Sequence, residues 1–365
     1  MAWCFRVEPA EDGVSRGVTE MKRYIAGVMV SVWCLLVLTG CGNQLAASKY
    51  TNTDFAMGTT VSEVLYGQAD ACEKAGGDII ELLKKIEEEQ ISWRKEDSEI
   101  YTMNHSKEAV EVDEDVAAWL ERSLQIASDT DGALNPGVGV LAQLWDIGGD
   151  YARVPEESEI KKAMQEIDYK KISIDGRKVT TDPDQVQVDL GAVGKGIGAD
   201  KAMAYLKDQD SVTGAIISVG GSLCVYGEKP GGENWSVGVQ DPCGETGEMV
   251  GVVNVKGDKF VSTSGDYEKY IEKDGKRYHH ILDSATGYPS NSGLVSVTIV
   301  CDSGIDSDGL STACFVLGME KSLKILDEYN AEAVFIGEDQ NVYTTDGVDF
   351  ELQNTKDYRI CEMSK

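Results

Sequence analysis

Residues 215–226, which read Ala-Ile-Ile-Ser-Val-Gly-Gly-Ser-Leu-Cys-Val-Tyr, indicate most directly which class of fold the chain adopts. Two short apolar runs, residues 215–219 and 223–226, flank the pair Gly220-Gly221. Apolar runs of this length, rich in β-branched residues and separated by turn residues, are typical of neighbouring strands. On its own, the glycine pair therefore predicts a tight strand connection rather than a ligand site.

Further β-rich runs and a few helical segments follow through the second half of the chain. Strands are predicted at residues 235–240, 250–255 and 294–301, and a hairpin at 270–279, where Asp274-Gly275 supplies the turn. Helices are predicted after Gly196, at about 308–317 and at 323–329. Strands and helices do not alternate as βαβ units, so we predict an α+β fold with a largely antiparallel mixed sheet and flanking helices.

The first half of the chain combines a predicted strand with helices. The strand lies within residues 50–66, and helices are predicted around 79–86, from Asp113 to about Asp131, and from Pro155 onward. We find no internal repeat, low-complexity segment or linker that divides this part of the chain from the rest. Residues 41–365 are therefore predicted to form one domain.

The charge of the chain excludes one large class of partners. Its 365 residues include 34 Lys and Arg against 63 Asp and Glu, which gives a formal net charge of −29. Nucleic-acid binding requires clustered cations to neutralise phosphates, so we expect no nucleic-acid partner. A phosphate-bearing ligand must instead be held locally, by a metal ion, backbone amides or a lysine. The nine cysteines form neither a Cys-x-x-Cys motif nor a Cys/His cluster, which argues against zinc.

The first forty residues resemble a targeting signal rather than part of the folded domain. Met21-Lys22-Arg23 is followed by a mostly apolar stretch over residues 24–38, as in a secretory signal peptide. The tetrapeptide Leu38-Thr39-Gly40-Cys41 resembles a bacterial lipobox, which predicts lipidation of Cys41 after removal of residues 1–40. We therefore expect a domain anchored by lipid to the extracytoplasmic face of the bacterial cell membrane.

The glycine-rich segment 189–198, Asp-Leu-Gly-Ala-Val-Gly-Lys-Gly-Ile-Gly, marks a predicted transition into a helix. It fits neither a Walker loop, because Gly196 follows Gly194-Lys195 where Ser or Thr is required, nor the spacing of a Rossmann fingerprint. Close backbone approach, a helix N-terminus and Lys195 together fit an anion site. A tight packing turn with an exposed lysine is the alternative, and this segment alone does not decide between them.

Asp308 and Thr312 are spaced to share one face of a helix. Carboxylate, hydroxyl and carbonyl oxygens suit Mg²⁺, which takes a few protein oxygens together with phosphate and water. The alternative is that Asp308 is a helix N-cap, which is the commoner use of such an aspartate.

Two histidines lie together in the segment His279-His280-Ile281-Leu282, just after the predicted hairpin. Alternation along a strand directs the two imidazoles to opposite faces, so only one of them can face a given site.

Taken together, these segments resemble the ApbE family, the FAD:protein FMN transferases. The shared motifs occur in the expected order and cover nearly the whole chain after Cys41. They are residues 56–59, 131–136, Leu144-Trp145, 189–198, Gly220-Gly221, 262–267, the His280 segment, 295–300 and 308–312. The sequence departs from the family pattern at Gly137, Ser284 and Ser311, where many relatives carry Thr, Pro and often Asp.

The resemblance implies a T-fold-related architecture and a set of site residues. The implied FAD contacts are Met57, Trp93, Ala133, Leu134, Asn135, Asp189, Lys195 and Leu282. The implied metal ligands are the carbonyl of Ala192 with Asp308, Ser311 and Thr312. His280 matches a histidine proposed to assist proton transfer, although it could instead donate a hydrogen bond to the nucleotide, and Lys195 would hold phosphate oxygens.

The implied reaction moves FMN from FAD to a Thr or Ser hydroxyl of an acceptor protein, with Mg²⁺ as cofactor and AMP as product. Implied acceptors carry a Ser/Asp-Gly-Ala-Thr/Ser-like segment, on membrane electron-transport subunits or small flavin-carrying domains. Two alternatives are an FAD pyrophosphatase that yields FMN and AMP, and a flavin-binding lipoprotein without catalysis.

Overall fold

A computed structural model of the protein describes residues 47–245 and 247–361. Cys41 and the predicted signal peptide lie outside these residues, so their assignment stays a prediction. Within the described ranges, none of the helices has both the length and the apolar character needed to cross a bilayer.

The strands are listed here in chain order. They are β1 Ser48–Ala56, β2 Thr59–Gly67, β3 Val110–Glu111, β4 Ser173–Asp175, β5 Lys178–Thr180, β6 Val212–Val219, β7 Ser222–Gly227, β8 Trp235–Gln240, β9 Met249–Val255 and β10 Lys259–Gly265. They continue with β11 Tyr270–Lys273, β12 Lys276–His279, β13 Leu282–Asp283, β14 Tyr288–Pro289, β15 Leu294–Cys301, β16 Glu332–Gly337, β17 Asn341–Thr344, β18 Phe350–Leu352 and β19 Arg359–Cys361.

The helices are likewise given in chain order. They are α1 Ala69–Lys85, α2 Glu99–Asn104, α3 Glu114–Asp129, α4 Gly139–Trp145, α5 Glu157–Ala163, α6 Gly194–Lys207, α7 Gly304–Leu317 and α8 Met319–Glu328. A π-helix, Ile86–Ile91, continues α1, and a short 3₁₀ turn covers Tyr169–Lys171.

One nine-stranded sheet organises the fold. Its strand order is β1-β2-β6-β7-β10-β15-β16-β17-β19, and every neighbouring pair is antiparallel except β17 and β19. Smaller sheets, β18-β9-β8 and β3-β5-β4, and the hairpins β11-β12 and β13-β14 surround it. The predicted α+β class with a largely antiparallel sheet is therefore confirmed.

Alternation along the central strands places two layers on the main sheet. Cys224 and Phe260 pack with apolar residues of α1 and α6 on one face, whereas their neighbours Val225 and Val261 pack with Trp235 and other residues of the β8-β9 sheet on the other. This is the period of two expected for a strand buried on both faces. The helices and the smaller sheet thus sandwich the centre of the nine-stranded sheet.

The structure refines several of the predicted elements. The apolar runs of residues 215–226 form the antiparallel pair β6-β7, and Asp274-Gly275 joins β11 to β12. The single strand predicted within residues 50–66 is instead a hairpin, because Met57 and Gly58 both adopt positive φ, as in a type I′ turn. Helix α7 begins at Gly304, four residues earlier than the predicted start at Asp308.

Helices α6 and α7 cross at unusually short distance. A Cβ added to Gly196 would lie 2.1 Å from the carbonyl oxygen of Gly304, and one added to Gly304 would lie 2.4 Å from that of Gly196. Asp200 of α6 accepts hydrogen bonds from the first N–H groups of α7, those of Gly304 and Ile305, at 2.7 and 2.8 Å. Two glycines and one carboxylate therefore fix α7 against the N-terminal half of α6.

A buried carboxyl group sits in the β1-β2 hairpin beneath α1. The Glu63 side chain is 1% exposed and accepts a hydrogen bond from Asn52 at 3.0 Å. Burial raises the pKa of the Glu63 carboxyl to about 7. The folded state therefore holds a proton that the unfolded chain releases near pH 4.5, so the stability associated with Glu63 declines as pH rises from about 4.5 to 7.

We expect Glu63→Gln to raise the free energy of unfolding at pH 8 by about 2 kcal/mol, with little change at pH 4.5. The measurement is urea unfolding across this pH range. Glu73→Gln, which removes an equal charge from the exposed face of α1, serves as the control and should shift stability little. An equal change at both pH values for Glu63→Gln would contradict the buried-proton explanation.

Candidate active site

A cavity of about 1230 Å³ opens where the turns, loops and helix ends around the main sheet converge. Its lining comes from the β1-β2 turn, the segment after the π-helix, the loops before α4 and α6, the β6-β7 turn, residues 263–269 and 280–282, and α7. The volume exceeds the roughly 300–1,000 Å³ usual for small-ligand sites, so the cavity is large enough for a dinucleotide. All the predicted site residues of the described chain line it except Ser311.

Lys195 and Asp308 form an ion pair in the cavity wall. The Lys195 Nζ atom lies 3.9 Å from Oδ1 of Asp308, and their side chains are 24% and 3% exposed. Burial alone lowers the pKa of the Lys195 ammonium, but Asp308 and Glu268 outweigh this and raise it. Lys195 is therefore a fixed cation, held in the first turn of α6 with its ammonium on the cavity surface.

Asp308 connects α7 to two other elements. Its Oδ2 accepts a hydrogen bond from the Gly196 N–H at 2.8 Å, and its Oδ1 accepts one from the Ser222 hydroxyl at 2.8 Å. The alternative of Asp308 as a helix N-cap is wrong, because Ser303 caps α7 and accepts from the Asp306 N–H. Asp308 instead lies one turn inside the helix, facing α6.

The predicted metal ligands other than Ser311 share one cavity. Asp308, Thr312 and Ala192 line the cavity, and the Thr312 hydroxyl lies 3.2 Å from that of Ser264. In the described residues, no group of three or more His, Cys, Asp or Glu side chains is arranged to hold a metal ion. An incomplete set of hard oxygen donors fits Mg²⁺, which keeps water and takes phosphate oxygens from its ligand.

Ser311 is placed differently from the other predicted metal ligands. It is fully buried, donates its hydroxyl to the carbonyl oxygen of Asp308 at 2.8 Å, and lies 2.8 Å from the Ser264 hydroxyl. The structure does not bring Ser311 to the cavity surface. Its contacts support the helix turn that carries Asp308 and Thr312.

His280 faces the cavity, whereas His279 packs into the core, as the alternation predicted. The His279 Nε2 lies 2.9 Å from the Ser290 carbonyl oxygen. The His280 N–H donates to the Lys269 carbonyl oxygen at 3.0 Å, and its Nδ1 lies 3.3 Å from the same oxygen. Burial lowers the pKa of His280 to about 4, with Lys195 and Lys269 contributing, so the imidazole is neutral at pH 7.

The loop at residues 133–135 also lines the cavity. Asn135 stabilises its own loop, donating to the Ile167 carbonyl oxygen at 2.9 Å and accepting from the Gly137 N–H at 2.8 Å. Leu134 is buried, and Ala133 packs at the edge of the core. Ser284, one of the departures from the family pattern, donates its hydroxyl to the Gly132 carbonyl oxygen at 2.6 Å and so ties this loop to the segment after Leu282.

Asp189 adjoins the 133–135 loop at the start of the glycine-rich segment. Its N–H donates to the Pro136 carbonyl oxygen at 2.9 Å, and its carboxylate accepts from the Gly191 N–H at 2.7 Å. Burial raises the pKa of the Asp189 carboxyl, opposed by the Gly191 hydrogen bond and by Arg94. The carboxylate thus shapes the turn that leads to Ala192 and Lys195.

An aromatic and cationic corner completes the cavity. The Arg94 guanidinium lies 3.7 Å from the centroid of the Trp93 ring and 3.0 Å from Oδ1 of Asp146. Met57 donates its N–H to Glu87 of the π-helix at 2.6 Å, which holds the left-handed turn against the wall. The flat Trp93 surface and apolar Met57 suit a planar ring system.

Several lining residues were not predicted from the sequence. Lysine, arginine, aspartate and glutamate residues of the lining besides the predicted Asp189, Lys195 and Asp308 are Glu87, Arg94, Lys95, Glu268 and Lys269. The lining therefore holds four Lys or Arg and four Asp or Glu residues, a formal balance of zero in a chain of net charge −29. Lys95 lies two residues after Trp93 in the sequence, and Lys269 lies two residues after the 262–267 motif. This closeness to predicted site segments was the signal that could have identified these two lysines.

Comparisons with known proteins agree on one family. The sequence model of the ApbE family matches residues 57–335. A protein of Treponema pallidum (strain Nichols) named FAD:protein FMN transferase is 34% identical over 342 residues, which cover 88% of this chain and 93% of the relative. One of the same name from Vibrio cholerae is 30% identical over 329 residues, covering 87% and 94%.

Solved structures give the same result. The crystal structure of the ApbE protein of Thermotoga maritima superimposes with a TM-score of 0.74 at 34% identity, covering 85% of this chain and 98% of that protein. The flavin transferase ApbE of Vibrio cholerae gives a TM-score of 0.70 at 27% identity, with coverage of 84% and 97%.

We expect Gly196→Ala to disrupt the cavity, because the added Cβ meets the Gly304 backbone and Asp308. It should lower the free energy of unfolding by about 2 kcal/mol and weaken ligand binding at Lys195 and Asp308. The measurements are urea unfolding and FAD titration. Gly77→Ala in α1, where the Cβ meets nothing within 4 Å, should be neutral or stabilising by up to about 1 kcal/mol. A Gly196→Ala protein with unchanged stability and FAD affinity would contradict the close approach.

Proposed function

The chain belongs to the ApbE family and is an FAD:protein FMN transferase, and we propose that it joins FMN to a Thr or Ser hydroxyl of its acceptor with Mg²⁺ as cofactor. In this reaction the hydroxyl oxygen attacks the FMN phosphorus of the FAD pyrophosphate. A phosphoester bond forms, the bond to the AMP phosphate breaks, and AMP leaves with its electron pair. The hydroxyl proton passes to a base of the enzyme.

The observation that carries this proposal is the convergence of Lys195, Asp308, Thr312 and His280 on one cavity large enough for FAD. Phosphoryl transfer needs little covalent chemistry from the protein and depends on position and charge neutralisation. A fixed cation, oxygen donors for a divalent ion and a neutral imidazole supply those needs. If segment 189–198 were only a packing turn, nothing would explain why Lys195 shares a cavity with Asp308, Thr312 and His280.

Lys195 and the start of α6 would bind the pyrophosphate. The Nζ atom is a compact positive charge, and the N-terminal amides of a 14-residue helix favour an anion at the same place. Because the Asp308 and Glu268 carboxylates raise the pKa of Lys195, it stays protonated throughout the physiological range. Its charge is therefore present whenever FAD binds.

Asp308, Thr312 and the Ala192 carbonyl would hold Mg²⁺. When bound, the ion would neutralise charge that develops on the phosphate oxygens. Ser222 and the Gly196 N–H orient the Asp308 carboxylate through their hydrogen bonds.

His280 would accept the proton of the acceptor hydroxyl. The Lys269 carbonyl oxygen lies within reach of Nδ1, so a proton on Nδ1 leaves Nε2 with its lone pair free. The lowered pKa keeps the imidazole neutral and ready to accept at pH 7.

The remaining predicted residues would bind the nucleotide and flavin. Trp93 and Met57 offer flat and apolar surface for the ring, and the 133–135 loop and Leu282 line the same cavity. Asp189 would shape the turn beside the phosphates, because its carboxylate accepts a hydrogen bond from the Gly191 N–H.

Lipidation at Cys41 would place the enzyme and its acceptor on one membrane face. Confinement to the same surface raises their effective concentration. A lipoprotein anchor supplies more than one acyl chain, which stable attachment requires. The acceptor would then be a membrane electron-transport subunit or a flavin-carrying domain on the extracytoplasmic side.

The experiment for the proposed function incubates the protein with FAD, Mg²⁺ and an acceptor domain, with in-gel flavin fluorescence and AMP release as readouts. The proposal predicts fluorescent acceptor and AMP in equal amounts. AMP and FMN without labelled acceptor would identify a pyrophosphatase. FAD binding without AMP would identify a flavin-binding lipoprotein.

We expect His280→Ala to keep FAD binding but lower the transfer rate by about 10²- to 10⁴-fold, because the proton acceptor is lost. His105→Ala, at the exposed end of α2, is the matched control and should transfer normally. For the unaltered enzyme, kcat/KM should stay level from pH 8 to 5 and fall as His280 becomes protonated near pH 4. Full transfer by His280→Ala would contradict its assignment as the base.

A further inference from the structure

Some large apolar side chains that face solvent lie next to residues of the cavity lining. In the described part of the chain, five such residues are exposed, namely Phe55 62%, Tyr151 85%, Met249 42%, Tyr270 42% and Ile360 50%. The first four adjoin residues that line the cavity, and only Ile360, on β19, does not. Exposed apolar side chains gathered at one place mark an interaction surface, whereas scattered ones need no explanation.

Each of the four is joined to the lining by the backbone or by packing. Tyr270 directly follows Lys269, and Tyr151 lies two residues after Gly149. Phe55 pairs with Thr60 across the β1-β2 hairpin. Met249 is paired with Gln240 and packs against Gly238, and both of these partners line the cavity.

Two of the aromatic residues belong to one continuous side of the mouth. A Cβ on Gly148 would lie 3.0 Å from Cδ of Lys269, so the loop that ends at Tyr151 packs on the stem of the lysine that precedes Tyr270. The Arg277 guanidinium lies 4.3 Å from the Tyr270 ring centroid and holds that ring in place. Tyrosine and arginine are the side chains enriched where protein interfaces hold most of their binding energy.

We propose that Phe55, Tyr151, Met249 and Tyr270, here called the rim surface, form the docking site for a folded acceptor domain. Its hydroxyl-bearing loop enters the cavity while apolar side chains beside that loop pack on the rim surface. This inference rests on the proposed function.

The reaction itself selects a protein as the occupant. Transfer to a protein requires a polypeptide at the mouth during every turnover, and the rim surface adjoins the lining rather than forming the cavity interior that FAD would fill. Tyr151, at 85% exposure, has almost no packing role in the free enzyme. A partner therefore gains apolar contact there without displacing anything from the fold.

The test compares transfer to two acceptors, a flavin-carrying domain that presents an Asp-Gly-Ala-Thr segment on a surface loop and the short free peptide of the same segment. We expect the double variant Tyr151→Ser/Tyr270→Ser to lower kcat/KM for the domain about tenfold, mainly through KM. For the peptide, which lacks the flanking surface, the change should be less than about twofold. FAD affinity, measured by flavin fluorescence titration, and the melting temperature should stay unchanged.

The control is Ile360→Ser, an apolar position that is 50% exposed and does not line the cavity, which should leave both acceptors unaffected. Equal loss for domain and peptide would overturn the docking site, because the rim would then act on the reacting segment. Unchanged kcat/KM for the domain would overturn it as well. Absence of transfer by the unaltered enzyme with FAD bound would refute the proposed function, and the docking proposal with it, and is distinct from a loss confined to the variant.

Discussion

The close crossing of α6 and α7 at Gly196 and Gly304 is the constraint on which the site depends. With two side chains reduced to hydrogen, the backbones approach until Asp308 reaches the Gly196 N–H. The same approach brings the carboxylate within 3.9 Å of Lys195. Asp200 then fastens the start of α7 through two backbone hydrogen bonds. The spacing between Lys195 and Asp308 is thus a consequence of helix packing.

The negative net charge of the chain explains why the cavity needs local positive charge. A body of net charge −29 repels an anionic dinucleotide, yet the cavity lining balances four cations against four carboxylates. Lys195 stays charged, because Asp308 and Glu268 raise its pKa by more than burial lowers it. A divalent ion at Asp308 would add further positive charge at the same place. The phosphate charge would thus be neutralised locally, inside the cavity, and not by a basic protein surface.

Much of the fold was predictable because its signals are local. The apolar runs around Gly220-Gly221 and the turn at Asp274-Gly275 carry their own pairing information, and both hairpins form as predicted. The turn at Met57-Gly58 was missed, because a non-glycine residue at positive φ leaves little trace in composition. The start of α7 was placed at Asp308 because its true cap, Ser303, is followed by Gly304, a weak helix former.

The site was predictable only in part, since its contacts join distant residues. Lys195 and Asp308 were candidates from their own segments, each beside an open alternative, and the family resemblance favoured the site for them and for His280; the structure brings all three to one cavity. No local pattern could predict the partners that orient them, because Ser222 is 86 residues from Asp308 in the sequence and lies on strand β7, whereas Asp308 lies on α7. Ser311 shares the helix of Asp308, but its hydroxyl turns back to the helix backbone. The spacing of Asp308 and Thr312 predicts that they share a face of the helix, but it does not predict which side-chain oxygens of this helix reach the cavity.

We propose that Lys195 and a divalent ion held by Asp308 together neutralise the FAD pyrophosphate. The most direct measurement is covalent flavin on the acceptor threonine, quantified by intact mass while Mg²⁺ is titrated for the unaltered enzyme and for Asp308→Asn. We expect transfer to be absent after EDTA treatment and restored by Mg²⁺, with at least about tenfold more Mg²⁺ required by Asp308→Asn. Transfer at full rate in EDTA, or the same Mg²⁺ requirement in both proteins, would contradict it.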